Sequence, residues 1–588
     1  MAILSPMGDI CETFLTTLAS PAVFPTTESI VEVDMNALLT KTASKRTTIP
    51  LVEMEPLLNE RHDSFLDESD DMDKRSEDDG LEELPIHARH TRTTAARQAP
   101  GSEDSFYSYL RDIRGLGLLT PDEEVDLARQ IHKGAFYMSD LLAARAQMGT
   151  SLAFHIIFAS LGVGLPLLLC IAEGLALWRK DATWMTLTRR WTKAFALLFA
   201  IGAVSGTILS FEIGLLWPTF TKFSGSIIGL PFAMEGFAFF IEAIFLGLYL
   251  YGWERLSPRA HWLCSFPLWI SGAASAWFIV SANSWMNTPT GFQITHGQVT
   301  GINPLQAIFN PSTPYETTHM LLAAYVATGF GVASVYAIQL LRGKREPYYR
   351  KGLMLAMALG AIAIPFQIFS GDLSARSLAD LQPAKLAAME GVFHTQKGAP
   401  IKVGGIVDVK TGQVLYAIEI PDGLSILARE NPNATILGLD AYAPQDRPDP
   451  TFVHPSFDGM VGSGFFALLI GGVFWLLYFR RKRVVPENRL LLWGIVLAGP
   501  LSFVAIELGW MVTELGRQPW VIYNFLRTQN AVTTAPGLNI SFAIFSGIYV
   551  VLAITLTVLL LRLARSPLPK PEWPVLVSSS REERIGTK

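Results

Sequence analysis

Charge is scarce in this chain. Of its 588 residues only 17% are Asp, Glu, Lys or Arg, against 50% apolar residues that include 35 Phe and 14 Trp. That is too little charge to cover a soluble surface of this size, so the apolar mass faces lipid or fills a very large core. Cysteine is scarcer still. Cys11, Cys170 and Cys264 have no metal-ligand spacing, and the last two sit in or beside apolar stretches, so they read as small apolar fillers. Residues 1 to 30 hold a mildly apolar patch but no basic n-region, and no signal peptide is expected there. The net charge of −5, averaged over such a chain, says little about partners.

What is present is a series of apolar runs about 20 residues long and nearly free of Lys, Arg and Asp, the length that crosses a bilayer as a helix. They predict an all-α, polytopic membrane bundle of about nine transmembrane helices, near 147–178, 193–216, 229–252, 262–283, 318–341, 352–370, 457–479, 489–512 and 539–562. Helices are required because backbone polar groups in lipid must be satisfied within the segment. The basic loops, with Arg179, Lys180, Arg189, Arg190 and Lys193 and then GKREPYYRK and RRKRVVPENR, are expected on the cytoplasmic side. The first helix then starts outside, the C-terminal tail 566–588 lies inside, and the long loop 371–456 lies outside, although it carries seven Lys and Arg. Residues 51 to 104, with the run DESDDMDKRSEDDGLEE, are too polar to repay ordering, and residues 1–137 are expected to be mostly disordered. Within them TPDEE starts a helix, with Thr120 as cap, Pro121 at its first position and acids in its first turn. Met138 is the expected start of the membrane protein, 138–565, with a fused or over-extended reading frame before it.

Ionisable groups within spans are costly and therefore functional candidates. His155 in SLAFHIIFAS and His319 in ETTHMLLAAYV are each open to two readings, a structural hydrogen bonder or a ligand. Met460 in FDGMVGSG is core filler or a thioether ligand. Glu507 in FVAIELGW is harder to dismiss, since an unpaired carboxylate at that depth is neutralised or bound to something. Glu235 and Glu242 lie seven apart, two turns along one helix face, as a proton relay requires, and Glu212 adds a carboxylate on the preceding helix. Together these acids favour an interior polar path. The residues alone point to a redox or ion-translocating membrane protein, with a bare transporter still open.

Several motifs, taken in order, resemble subunit I of the cytochrome bd quinol oxidases. They are ARAQM with SLAFH, GLPFAMEG with FFIEA and GWER, VSANSWMNTPTGF, KLAAME, FDGMVG, and IELGWMVTELGRQPW, spread over residues 138 to 565. Residues 105–134 separately resemble the first conserved region of a primary bacterial sigma factor, without the promoter-reading regions.

The oxidase resemblance implies a bacterial cytoplasmic-membrane enzyme that oxidises quinol at the outer face and reduces O2 to water with charge separation. It implies three haems: a low-spin haem b, a high-spin haem b and haem d. By motif, His319 and Met460 match the two axial ligands of low-spin haem b. His155 and Glu507 match ligands at the other two haems, and His155 is assigned to haem d. Glu235 and Glu242 match acids used for proton delivery, seven apart here where longer-loop members have eight. Arg145, Arg517 and Gln518 resemble polar residues around the haems, arginine suiting propionates because it keeps its charge. Asp458 stands where some members have Arg, so no arginine role passes to it. Lys385 and Glu390 match the paired charges of the quinol-binding loop, a donor to a quinol oxygen and an acceptor of its proton. The loop is similar to the short-loop, cyanide-insensitive branch. A second subunit, a possible single-span small subunit, ubiquinol or menaquinol, and O2 are the implied partners, with no nucleic acid. The competing readings are a haem b electron relay, a haem-free transporter, and a regulatory fusion whose sigma-like segment binds RNA polymerase.

Overall fold

The computed structural model describes residues 140–568. The expected disordered extension, its sigma-like helix and most of the C-terminal tail lie outside the described residues. In chain order the helices are Asp140–Arg179 (α1), Ala182–Leu216 (α2), Pro218–Tyr251 (α3), Pro258–Asn287 (α4), Pro304–Ile308 (α5), Thr313–Leu341 (α6), Pro347–Leu381 (α7), Pro383–Met389 (α8), Gly423–Arg429 (α9), Pro450–Arg480 (α10), Arg489–Leu515 (α11) and Leu538–Arg565 (α12). Among the described residues nine of these, α1 to α4, α6, α7 and α10 to α12, have the length and composition to cross a membrane. All nine expected spans are present, and most run past the apolar stretch that announced them. Hydropathy marks only the part that lipid touches, whereas the helix goes on until a cap stops it. Thus α2 begins at an Asp181 cap whose side chain accepts from Thr183 N, and α10 at Asp449, which accepts from Thr451 N ahead of Pro450.

The core helices α1 and α6 pack against each other and against α4. Around them α2 and α12 flank α1, α7 and α11 flank α6, α3 lies on α4, and α10 lies between α7 and α11. Small residues set the closest approach. A Cβ on Gly329 of α6 would fall 2.4 Å from the backbone nitrogen of Gly360 on α7, so these two helices meet backbone to backbone.

The long connection is shorter than expected, 382–449, because α7 continues to Leu381 and α10 starts at Pro450. It has an apolar core of its own, in which Leu386, Met389, Val392, Leu424, Ile436 and Leu439 pack with Val453 of α10 and Val512 of α11. Short antiparallel ribbons complete it, with Ile401–Val403 on Ile418–Ile420 and Ile406–Asp408 on Gln413–Leu415. The connection is therefore a small folded lobe seated on one end of the bundle, here termed the loop end.

Candidate functional site

Three expected ligand residues surround one apolar knot. Ile156, Ala327 and Ile506 are buried together with Met320, Ala323, Phe503 and Trp510 around them. Ile156, Met320 and Ile506 are the sequence neighbours of His155, His319 and Glu507. Successive helix residues point about 100° apart, so anchoring the neighbour fixes where each candidate ligand points. Met460 of α10 joins from α11's side, since a Cβ on Gly509 would meet its sulfur at 3.0 Å.

Both histidines are held the same way. His155 Nδ1 lies 2.9 Å from Ser205 Oγ, and His319 Nδ1 lies 3.0 Å from Ser370 Oγ. Each serine hydroxyl spends its hydrogen on its own helix, Ser205 on the Ile201 carbonyl at 3.0 Å and Ser370 on the Gln367 carbonyl at 2.9 Å. This arrangement favours the tautomer in which the serine oxygen accepts from Nδ1 and Nε2 carries the lone pair. A glycine follows each serine. A Cβ on Gly206 would come within 2.9 Å of His155 Cε1, and one on Gly371 within 3.2 Å of His319 Cε1, so each ring leans on a Ser-Gly seat. At His319 the Nε2 lone pair accepts from Gln367 Nε2 at 2.9 Å, and Gln367 Oε1 is left buried without a donor.

This donor set fits haem iron: two imidazoles with Nε2 unprotonated, a thioether, and a half-buried Glu507 whose Oε1 has no hydrogen-bond partner. Among the described residues no three His, Cys, Asp or Glu gather as an ion cage. The donors stand singly, as axial ligands do when a macrocycle supplies the rest.

At the loop end Asn287, the last residue of α4, is a hub that sequence reasoning missed. Its Oδ1 accepts from Lys385 Nζ at 2.9 Å and from Arg517 Nη1 at 3.0 Å, and its Nδ2 donates to Glu316 Oε1 at 2.8 Å. Arg517, 1% exposed, also pairs with Glu514, and Asn283 donates to Glu514 at 2.7 Å. Burial pushes the Lys385 ammonium down to about 7, against the pull of Glu316.

Glu390 caps the C-terminal end of α8 and makes no hydrogen bond to Lys385. It turns toward Asp458, with Oε2 buried and unpartnered, and burial followed by the Asp458 charge pushes its carboxyl up to about 8. Asp458 in turn accepts from Gly404 N at 2.8 Å and tethers the lobe to the helix that carries Met460. Gln518 accepts from Thr528 at 2.7 Å, and Arg145 is exposed near the start of α1.

Glu235 and Glu242 share one face of α3. Glu235 accepts from Ser275 at 3.2 Å, whereas Glu242 Oε1 is buried without a donor against Gly272. Seven residues further along that face Tyr249 donates to Glu173 Oε2 at 2.5 Å. His261 Nδ1 lies 2.7 Å from Glu173 Oε1, and its Nε2 donates to the Tyr249 carbonyl at 2.8 Å. Sequence reasoning missed this second cluster as well. The available signal was the seven-residue step from Glu235 through Glu242 to Tyr249. Glu212 does not join these acids; it meets Gln147 of α1.

Comparison with known proteins agrees with this architecture. The family model described as cytochrome bd terminal oxidase subunit I matches residues 143–568, and that of sigma-70 factor, region 1.2, matches residues 104–136. A putative cytochrome bd menaquinol oxidase subunit I of Bacillus subtilis (strain 168) is 39% identical over 433 residues, covering 72% of this chain and 96% of that protein. A cytochrome bd ubiquinol oxidase subunit 1 of the same organism is 31% identical over 442 residues, covering 72% and 93%. Among solved structures, the bd oxidase from Geobacillus thermodenitrificans superposes with a TM-score of 0.69 at 38% identity, over 73% of this chain and 99% of that one.

Proposed function

This chain belongs to the cytochrome bd terminal oxidase subunit I family, the membrane quinol oxidases, and on that premise we propose that it oxidises quinol at the loop end and reduces O2 to water inside the bundle, separating charge across the membrane. When bound, a low-spin haem b, a high-spin haem b and a haem d supply electron relay and oxygen reduction. His319 and Met460 would hold the first. His155, assigned to haem d, and Glu507 would each hold one of the other two. The observation that carries the reading is the repeated Ser-Gly seat, which holds both imidazoles by Nδ1 around one apolar knot.

Lys385 donates to a quinol oxygen, and Glu390, once ionised, takes the quinol proton. Asn287 and Arg517 hold Lys385 in position. Glu235 and Glu242, continued by Tyr249, Glu173 and His261, carry protons from the far end of the bundle toward the site of reduction. The loop end is the outer face, the basic loops are cytoplasmic, and the chain works with a second subunit and a possible single-span small subunit. The short lobe supports a reading as the short-loop, cyanide-insensitive branch, with ubiquinol or menaquinol as donor.

The test is a reduced-minus-oxidised optical spectrum of the purified complex beside His155→Ala and Glu507→Ala. The expected result is a far-red haem d band lost in His155→Ala while the low-spin b signal persists. A folded parent that shows only b-type signal would instead make the chain an electron relay.

A further inference from the structure

One buried polar group takes no part in the oxidase reading above. Gln147 and Ser151 of α1, Glu212 of α2 and Tyr549 of α12 are 1%, 0%, 2% and 4% exposed. Gln147 Nε2 donates to Glu212 Oε1 at 2.9 Å, which uses one atom of each. Left over are Gln147 Oε1, Glu212 Oε2 and the Ser151 and Tyr549 hydroxyls, none of which closes a hydrogen bond of ordinary geometry. The Ser151 hydroxyl lies within hydrogen-bonding reach of both Glu212 and Tyr549, and the Phe154 ring packs 4.7 Å from that of Tyr549.

Polar atoms at this depth do not stay unsatisfied without cost, and the one Ser151 hydroxyl cannot satisfy them all. The orphan set itself identifies the occupant. Two acceptor oxygens and two hydroxyls able to donate are the complement of one water, which donates two bonds and accepts two. An anionic group such as a carboxylate would bring further acceptors to oxygens that already lack donors. The structure assigns Gln147, Ser151, Glu212 and Tyr549 as a buried water site between α1, α2 and α12.

Its place suggests a use. Gln147, Ser151 and His155 follow one another at four-residue steps on one face of α1, so the site lies two turns, about 12 Å, from His155 toward the loop end. Resting on the oxidase reading, it is the first polar station for water leaving the reaction site toward the outer face. Glu212 thereby has a role apart from the acids of α3.

The experiment uses the complete purified complex and two readouts that do not depend on turnover. A high-resolution map is expected to show a compact density touching Gln147 Oε1, Glu212 Oε2 and the Tyr549 hydroxyl. Tyr549→Phe is expected to lower Tm by a few degrees, because it strips a partner from a bound water. Density of a lipid tail or cofactor edge in the pocket overturns the assignment. So does a Tyr549→Phe protein of equal or higher Tm, since removing a hydroxyl from a dry pocket costs nothing. Both readouts decide the water site even in a chain that binds no haem, which keeps its failure separate from that of the oxidase reading. The exit role adds a several-fold slower O2 consumption in Tyr549→Phe at unchanged haem spectrum, and unchanged turnover removes that role.

Discussion

Two buried ionic regions of this molecule solve the same problem in opposite ways. Around Asn287, Lys385, Arg517 and Glu316 meet through one amide side chain, Glu514 joins through Arg517, and the two bases and two acids balance in charge. On α3, Glu235 and Glu242 have one serine hydroxyl between them, and among the described residues neither forms an ion pair. A balanced cluster resists movement, because taking away one member strands another in a low-dielectric site. Acids without a base can take up or give up a proton without breaking a pair. The first arrangement suits positioning and the second suits transport.

The sharpest way to break this comparison is to neutralise one member of each region. Glu242→Gln removes no counter-charge, so Tm is expected to hold or rise, while O2 consumption falls by about 10²–10⁴-fold if the carboxyl relays protons. A lower Tm with normal turnover would make Glu242 a structural residue and end the contrast. Lys385→Met should do the reverse to stability. It leaves Glu316 without its nearest base and costs about 3–5 kcal/mol, read as a lower melting temperature together with loss of quinol oxidation while the haem spectrum persists. Unchanged stability would mean that Asn287 and Arg517 suffice without the lysine.

A third variant asks whether the apolar knot between these regions depends on its seats. Ser370→Ala frees the Nδ1 proton of His319 from its acceptor, and loss of such a partner typically costs 10–100-fold in metal affinity. The expected outcome is substoichiometric low-spin haem b and a shifted midpoint potential, with His155-dependent signal retained. Equal haem content and potential would show that the serine merely fills space.

These contrasts also mark what was legible beforehand. The nine spans were readable because lipid permits so little else, and His155, His319 and Glu507 stood out because ionisable groups there are rare. Asn287 did not stand out, since a neutral amide at a helix end announces nothing until its neighbours are known. The Ser-Gly seats were hidden by their own commonness: Ser224-Gly225, Ser271-Gly272, Ser463-Gly464 and Ser546-Gly547 repeat the pair elsewhere in spans. The surroundings of the lobe residues were not legible either. Lys385 and Glu390 lie five apart, but α8 ends between them, and they turn to different partners, Asn287 and Asp458. Gly391, at φ +62°, makes that turn, and a Cβ there would strike Val414 at 2.6 Å.

The smallest expected effect is on pH dependence and concerns how the lobe links the two regions. Glu390 titrates near 8 because burial and then Asp458 disfavour its charge. A carboxyl raised in the folded state stabilises fully below the ordinary carboxylate range, and that contribution is lost as pH rises through about 8. Lys385, lowered to about 7, contributes the opposite slope, present above the ordinary lysine range and lost as pH falls through about 7. The lobe's stability is therefore pulled both ways near neutrality, whereas catalysis is not. A carboxylate must be ionised to take a quinol proton, so kcat/KM for quinol should climb up to about tenfold per unit toward pH 8 and then level off. Glu390→Gln should flatten that climb. Asp458→Asn, which removes the neighbouring charge but keeps an acceptor for Gly404 N, should move it down by about one unit or less. A profile that stays in place in Asp458→Asn while vanishing in Glu390→Gln would mean that burial alone sets the Glu390 titration, and that the tether to the Met460 helix is mechanical rather than electrostatic.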